Sequence, residues 1–149
     1  MSDHHPGGCL CGAIRYRLVE APITFYACHC KDCQRQTGSA FGLSMFVRRE
    51  AIELLSGEPD RFELTMSDGR VKRGRFCASC ATRLWGEPRA FPELCVLRPG
   101  TLDDPSVFEP VGHIWTGSAC SWVTIPDDGV LYEGQPDDYR PLLQAWRDR

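Results

Sequence analysis

The sequence predicts a mainly β fold of small antiparallel sheets, closed by one short C-terminal helix. Three observations carry this reading. Short runs of alternating apolar and polar residues recur at close intervals, Gly, Pro and Asp-Gly signals punctuate them, and only the tail changes to helical spacing. At 149 residues, with no repeat, low-complexity tract or linker, the chain reads as one domain over 1–149, long enough to bury a core without disulfide staples.

The elements follow in order. Over 13–19, Ile14, Tyr16 and Leu18 alternate with Arg15 and Arg17, the pattern of a half-buried strand, and Pro22 ends it. A second β-rich run, 23–27, delivers Cys28 to a strand's end. Residues 34–39 are polar and finish on Gly38-Ser39, as expected of a short helical turn or loop. Next comes a strand over 41–47 with Phe41, Leu43, Met45 and Val47 on one face. Runs at 52–55, 61–66 and 70–77 have meander spacing, turning at Gly57, Pro59 and Ser67-Asp68-Gly69, where Asp-Gly is a hairpin signal. Strands over 82–86 and 94–97 continue it, and 100–105 reads as a turn into a single helical turn. Short aromatic strands are expected at 111–115 and 121–125. From Asp137 onward, Tyr139, Leu142, Leu143 and Trp146 fall at i, i+3, i+4 and i+7, predicting an amphipathic helix over about 137–147 with Asp137 or Asp138 as N-cap.

Composition excludes some functions at the level of the whole chain. A net charge of −3 invites neither nucleic acid nor an anionic membrane. The one basic run, Arg70-Val71-Lys72-Arg73-Gly74-Arg75, reads as a solvated strand face. No segment approaches the roughly 18 apolar residues of a membrane span, and residues 1–8 hold no signal-peptide core, so the expectation is a soluble, cytoplasmic protein. His4 and His5, in a polar terminus flanked by glycine, read as disordered rather than as a ligand pair.

The chemistry is carried by cysteine. Of nine, seven fall in tight groups: Cys9 and Cys11; Cys28, Cys30 and Cys33; Cys77 and Cys80. In a reducing compartment such spacings are metal ligands rather than disulfides, and a Cys-x-Cys disulfide would close a strained ring. If Cys9 and Cys11 join Cys77 and Cys80, they make a closed four-thiolate zinc site, and Cys28, Cys30 and Cys33 remain as a triple. A structural zinc wants four ligands, whereas a catalytic zinc keeps three and an open position. Spacing leaves two alternatives open. His113, Cys95, Cys120 or His29 could complete the triple as a second structural site, or the triple could draw on Cys77 or Cys80. His29 lies between two ligating neighbours and would point away from their metal. Lys31 and Arg35 are placed to offset the charge of three thiolates.

Taken together, Gly8-Cys9-Leu10-Cys11-Gly12, Cys28-His29-Cys30-Lys31-Asp32-Cys33, Phe76-Cys77-Ala78-Ser79-Cys80, Gly100-Thr101-Leu102-Asp103-Asp104-Pro105 and His113-Ile114-Trp115 form an ordered set over about 7–125. That set resembles the glutathione-dependent formaldehyde-activating enzyme family, whose domain is shared with centromere protein V. The resemblance implies a β-tent zinc fold and two zinc ions per chain. One would be structural, on Cys9, Cys11, Cys77 and Cys80; the other catalytic, on Cys28, Cys30 and Cys33. It implies condensation of glutathione with formaldehyde to S-hydroxymethylglutathione, a carbon-sulfur lyase reaction run in reverse, with zinc activating the thiol. The family's last Cys-x-x-Cys is usually followed by glycine, and here Ala81 stands there.

For the carboxylates of glutathione the cationic candidates are Lys31, Arg35, Arg48 and Arg49. His113, with Trp115 and Trp122, either lines the pocket, His113 acting as proton shuttle, or belongs to an aromatic core, the commoner place for such a cluster at strand spacing. The rival is a non-catalytic interaction or chromatin-type module with two structural zinc ions, its basic run touching phosphates.

Overall fold

The computed structural model describes residues 4–149. In chain order the strands are β1 (His5–Gly8), β2 (Arg15–Leu18), β3 (Thr24–Cys28), β4 (Gly42–Arg48), β5 (Ile52–Ser56), β6 (Asp60–Thr65), β7 (Val71–Phe76), β8 (Arg83–Gly86), β9 (Leu94–Leu97), β10 (Gly112–Ile114) and β11 (Val130–Leu131). Helix α1 (Lys31–Thr37) lies between β3 and β4, and α2 (Arg140–Asp148) closes the chain. The protein is mainly β with a short C-terminal helix. Two compact units divide it: residues up to Pro22 with Met45–Val107, and Ile23–Ser44 with Phe108–Arg149.

In the first unit β1, β2 and β5 form one antiparallel sheet, with His5 opposite Leu18 and Leu18 opposite Ile52. Alternation sorts β2 as expected: Tyr16 and Leu18 are fully buried, while Arg15 and Arg17 reach outward to Asp103 and Glu53. The buried Tyr16 hydroxyl is satisfied by Thr101 at 2.7 Å, and its ring meets Trp85 edge-on at 6.3 Å. The 45–48 half of β4, then β9, β8, β7 and β6, pair antiparallel in that order, through Val47 with Cys95, Trp85 with Leu97 and Gly74 with Gly86. Gly74 is required there, since a Cβ would stand 2.7 Å from both the Phe62 ring and the Trp85 carbonyl. Met45, Val47, Leu84 and Leu97 are fully buried in this unit.

In the second unit β10 brings in parallel pairing. β10 runs between β3 and β11, with His113 opposite Ala27 and Ile114 opposite Cys28. Helix α2 seats Leu142 and Trp146 inward, Trp146 meeting Phe25 at 6.4 Å and Phe108 at 5.8 Å. The Thr24 hydroxyl donates to the Leu142 carbonyl at 2.8 Å.

The differences from expectation are local. His5 opens a strand instead of lying in a disordered terminus. Helix α1 starts at Lys31 and so includes Cys33, earlier than the polar stretch suggested. Residues 121–125 form a turn and open chain, because β propensity without a partner strand makes no ladder. Neither expected aspartate caps α2: Tyr139 is the N-cap without a side-chain bond, while the Asp138 carboxylate accepts from the Arg140 amide at 3.0 Å. No helix of the described residues is long and apolar enough to cross a membrane.

Candidate functional site

Seven thiols gather as four and three. Cys9, Cys11, Cys77 and Cys80 hold their sulfurs within 4.8 Å of one another, as do Cys28, Cys30 and Cys33. Among the described residues no other His, Cys, Asp or Glu joins either set at that spacing. The sequence alternatives thus resolve: Cys77 and Cys80 go with Cys9 and Cys11, and neither His113, His29, Cys95 nor Cys120 completes the triple.

The four-thiol set is built from two turns of the first unit. Gly12 (φ 80°) turns the chain after Cys11, and the Ile14 amide donates to Cys9 Sγ at 3.3 Å. The second turn is closed by the amides of Cys77, to the Thr82 carbonyl at 2.9 Å, and Ala81, to the Cys77 carbonyl at 2.7 Å. Thr82 joins the two: its hydroxyl accepts from the Leu10 amide at 3.1 Å and lies 3.1 Å from Cys80 Sγ. The Thr82 hydroxyl first, then its amide, bring the Cys80 thiol down to about 5. Spacing of the cysteines alone gave no sign of Thr82.

The three-thiol set sits where β3 passes into α1. Cys28 ends the strand and is buried; Cys30 is the N-cap of α1, its sulfur accepting from the Cys33 amide at 3.3 Å. Cys33 therefore lies one helical turn on, facing the same centre. Gly42 leaves the room it needs, since a Cβ there would stand 3.2 Å from Cys33 Cβ and 3.3 Å from its sulfur. Hydrogen bonds with Cys30 and Cys33, then burial, drive the Cys28 thiol far above its ordinary range. Such a cluster ionises only when a cation compensates it.

Both sets could hold a metal ion, and the spacings of the four-thiol set suit zinc. Tetrahedral zinc with sulfur at ~2.3 Å places neighbouring sulfurs about 3.8 Å apart. Cys9 and Cys11 are 3.6 Å apart, and Cys11 and Cys77 are 3.8 Å apart, far beyond a disulfide bond. All-sulfur donors select soft or borderline metals.

Other expected residues are placed variously. Lys31 and Arg35 are exposed on α1, with Lys31 Nζ 3.4 Å from Gln34 Oε1. His113 Nδ1 meets His29 Nε2 at 2.9 Å, their rings stacked at 5.2 Å. His29 is fully buried, its Nδ1 without a partner, and burial lowers both imidazoles below their usual range. Arg48 pairs with Glu20 and Arg49 with Glu87, so both have internal partners. Trp122 is 76% exposed. Cys95 is buried on β9, where burial raises its thiol to about 11.

Three further residues had no sequence signal. Gln34 donates from its side-chain amide to the His29 carbonyl at 2.8 Å and the Ser118 carbonyl at 3.0 Å, bracing α1. Tyr26 and Tyr139 face each other, their ring centroids 6.3 Å apart, and Tyr139 Oη accepts from Gln135 Nε2 at 2.5 Å. Only the register of β3 and the docking of α2 bring these two together.

The chain is similar to known proteins. A Halomonas elongata protein, named "Putative glutathione-dependent formaldehyde-activating enzyme", is 27% identical over 151 residues, covering 96% of this chain and 94% of its own. A crystal structure of a Rhodobacter sphaeroides protein shares the fold with a TM-score of 0.51, at 19% identity, over 70% of this chain and 91% of that one. The family model described as glutathione-dependent formaldehyde-activating enzyme matches residues 4–118, which takes in both thiol sets. The chain belongs to the glutathione-dependent formaldehyde-activating enzyme family.

Proposed function

We propose that the protein is a two-zinc enzyme that adds glutathione, or another small thiol, to formaldehyde-like aldehydes, a carbon-sulfur lyase reaction run toward addition. One observation carries this reading. A complete four-thiol set stands in the same chain as a three-thiol set that no fourth protein ligand completes among the described residues. Four thiolates suit a closed structural zinc; three leave a position for an incoming thiol.

Cys28, Cys30 and Cys33 would hold the second zinc, which supplies there a positive centre that favours the thiolate form of an incoming thiol at neutral pH. The chain's own groups do the rest. Lys31 and Arg35, exposed on the helix that carries Cys33, attract the two carboxylates of glutathione. Gln34 holds that helix against the carbonyls of His29 and Ser118, which keeps Cys30 and Cys33 in register with Cys28. The incoming thiol's sulfur would bond to the aldehyde carbon while the carbonyl oxygen takes up a proton. We infer a single cytoplasmic domain, since a reducing compartment keeps so many thiols available for metal.

The rival interaction module draws on the basic run, and that run is largely occupied. Arg70 pairs with Asp68, Arg73 donates to the Glu87 carbonyl, and Arg75 pairs with the Glu87 carboxylate.

Cobalt substitution tests the reading. Reduced glutathione should change the thiolate-to-cobalt charge-transfer band of the loaded protein, and Cys30→Ser should abolish that response. Formaldehyde should then exchange with its thiol adduct faster than without protein. A spectrum that ignores glutathione would overturn the enzyme in favour of two structural metals.

A further inference from the structure

The three-thiol centre has a hydroxyl pair on its own side of β3. Residues two apart on a strand share a face, so Tyr26 lies with Cys28, whereas Ala27, opposite His113, lies on the other. Tyr26 is buried and its ring faces Tyr139 across 6.3 Å. Gln135 Nε2 donates to Tyr139 Oη at 2.5 Å. Gln135 is itself oriented, because Trp115 Nε1 donates to its Oε1 at 3.1 Å.

Trp115 occupies the left-handed region (φ 57°, ψ 40°), an unfavourable place for a bulky side chain. It is held there by backbone bonds from the Trp115 amide to the Gly134 carbonyl at 3.3 Å and from the Thr116 amide to the Tyr132 carbonyl at 3.0 Å. Strain that the surrounding structure enforces marks positions where aim matters more than stability. Here the aimed group is the indole N–H, and the line runs Trp115, Gln135, Tyr139.

We propose that Tyr139 gives the proton to the aldehyde oxygen during thiol addition at the three-thiol centre, with Gln135 and Trp115 as positioning residues and Tyr26 as the partner hydroxyl; this rests on the thiol–aldehyde reading above. A phenol oxygen that accepts a hydrogen bond from the Gln135 amide keeps its own hydrogen to give, as a donor. That accepted bond also stabilises the negative charge that builds on Oη as the proton leaves.

The step balances. Sulfur of the thiolate bonds to the carbonyl carbon, the C=O π pair moves onto oxygen, and that oxygen takes the proton from Tyr139 Oη. The tyrosinate regains a proton from solvent, equal to the one the thiol released on ionising, so thiol plus aldehyde gives the hydroxymethyl thioether with no oxidant. Histidine would be the usual choice for this duty. His113 instead meets His29 on the opposite face of the strand. The family match ends at residue 118, so Gln135 and Tyr139 lie beyond it.

The test compares wild type with Tyr139→Phe in the zinc-loaded protein, following exchange between formaldehyde and its glutathione adduct. The expected result is a fall in kcat of about 100-fold in both directions, with zinc content and the glutathione response of the cobalt form unchanged. A merely structural role would move the melting curve or the metal response and leave no selective loss of kcat. Should Tyr139→Phe lose metal or its cooperative melt, Gln135→Ala decides, since Gln135 is exposed and reaches Oη by its amide alone; a kcat loss of about tenfold is expected. A wild type that exchanges formaldehyde while a folded, zinc-replete variant matches it would overturn this inference alone. A wild type that neither responds to glutathione nor exchanges formaldehyde would overturn the enzyme reading and this inference with it.

Discussion

The amide of Ala81 donates to the carbonyl of Cys77 at 2.7 Å, and Ala81 closes that turn in the left-handed region at φ 65°. The turn delivers Cys80 to the four-thiol set. A residue without Cβ adopts that conformation freely, whereas alanine there costs about 1–2 kcal/mol.

Ala81→Gly should therefore stabilise the protein. The greater freedom of glycine in the unfolded chain takes back about 0.4–1 kcal/mol. A net gain of about 0.5–1 kcal/mol is expected, read as a higher denaturant midpoint with unchanged metal content. A lower midpoint would show that the turn does not strain alanine.

Metal removal should separate the two thiol sets. Four thiolates on zinc contribute an apparent ~10–16 kcal/mol, as much as the ~5–15 kcal/mol net stability of a domain. Cys77→Ser, which strikes the four-thiol set, should cost the cooperative melt. Cys28→Ser should lower the zinc content from two ions to one and leave a folded protein. Equal loss of folding in both variants would contradict distinct roles for the two centres.

Acid should act through Glu87, which is 4% exposed and bonded to Arg49 at 2.6 Å and Arg75 at 3.0 Å. Burial alone would raise its carboxyl; the two arginine hydrogen bonds outweigh that and hold it below the ordinary range. A depressed folded value means stability that is fully present above the unfolded value, about 4.3, and lost as pH falls through the folded one. Glu87→Gln should cost about 2 kcal/mol at neutral pH and flatten the fall in stability below about pH 4. An unchanged acid limb in the variant would remove Glu87 from the explanation.

Gly42 should be intolerant because of its neighbour. A Cβ there meets Cys33 Cβ at 3.2 Å and its sulfur at 3.3 Å, so Gly42→Ala must push Cys33 aside by a few tenths of an ångström and Gly42→Val by more. Metal affinity at the three-thiol centre is expected to fall about tenfold in the valine variant, the lower end of what a misplaced ligand environment costs. The four-thiol centre should stay loaded. Competition with a chromophoric chelator reads both in one titration, and undiminished affinity would show that β4 yields there.

Legibility in the sequence followed the range of the interactions. The alternation of Tyr16 and Leu18 with Arg15 and Arg17 placed β2, and Leu94–Leu97 was expected with the bounds it has, because period-2 burial is written locally. β1 was missed because His5-Pro6-Gly7-Gly8 shows no alternation and becomes a strand only by pairing with β2. The stretch 121–125 erred the other way, having the residue types of a strand and no neighbour to pair with. The start of α1 was hidden because its N-cap is a thiol, Cys30, rather than the Ser, Thr, Asp or Asn that announces a helix.

By itself the sequence determined the mainly β character, the amphipathic tail helix and the family, because periodicity and the spacing of seven cysteines are local and ordered along the chain. Tertiary structure alone decided how the thiols divide into four and three, since only folding brings Cys77 and Cys80 to Cys9 and Cys11. It alone turned His113 to His29 and set Tyr139 against Tyr26. These pairings join residues 84 and 113 positions apart. No local pattern encodes them; strand register and helix docking do.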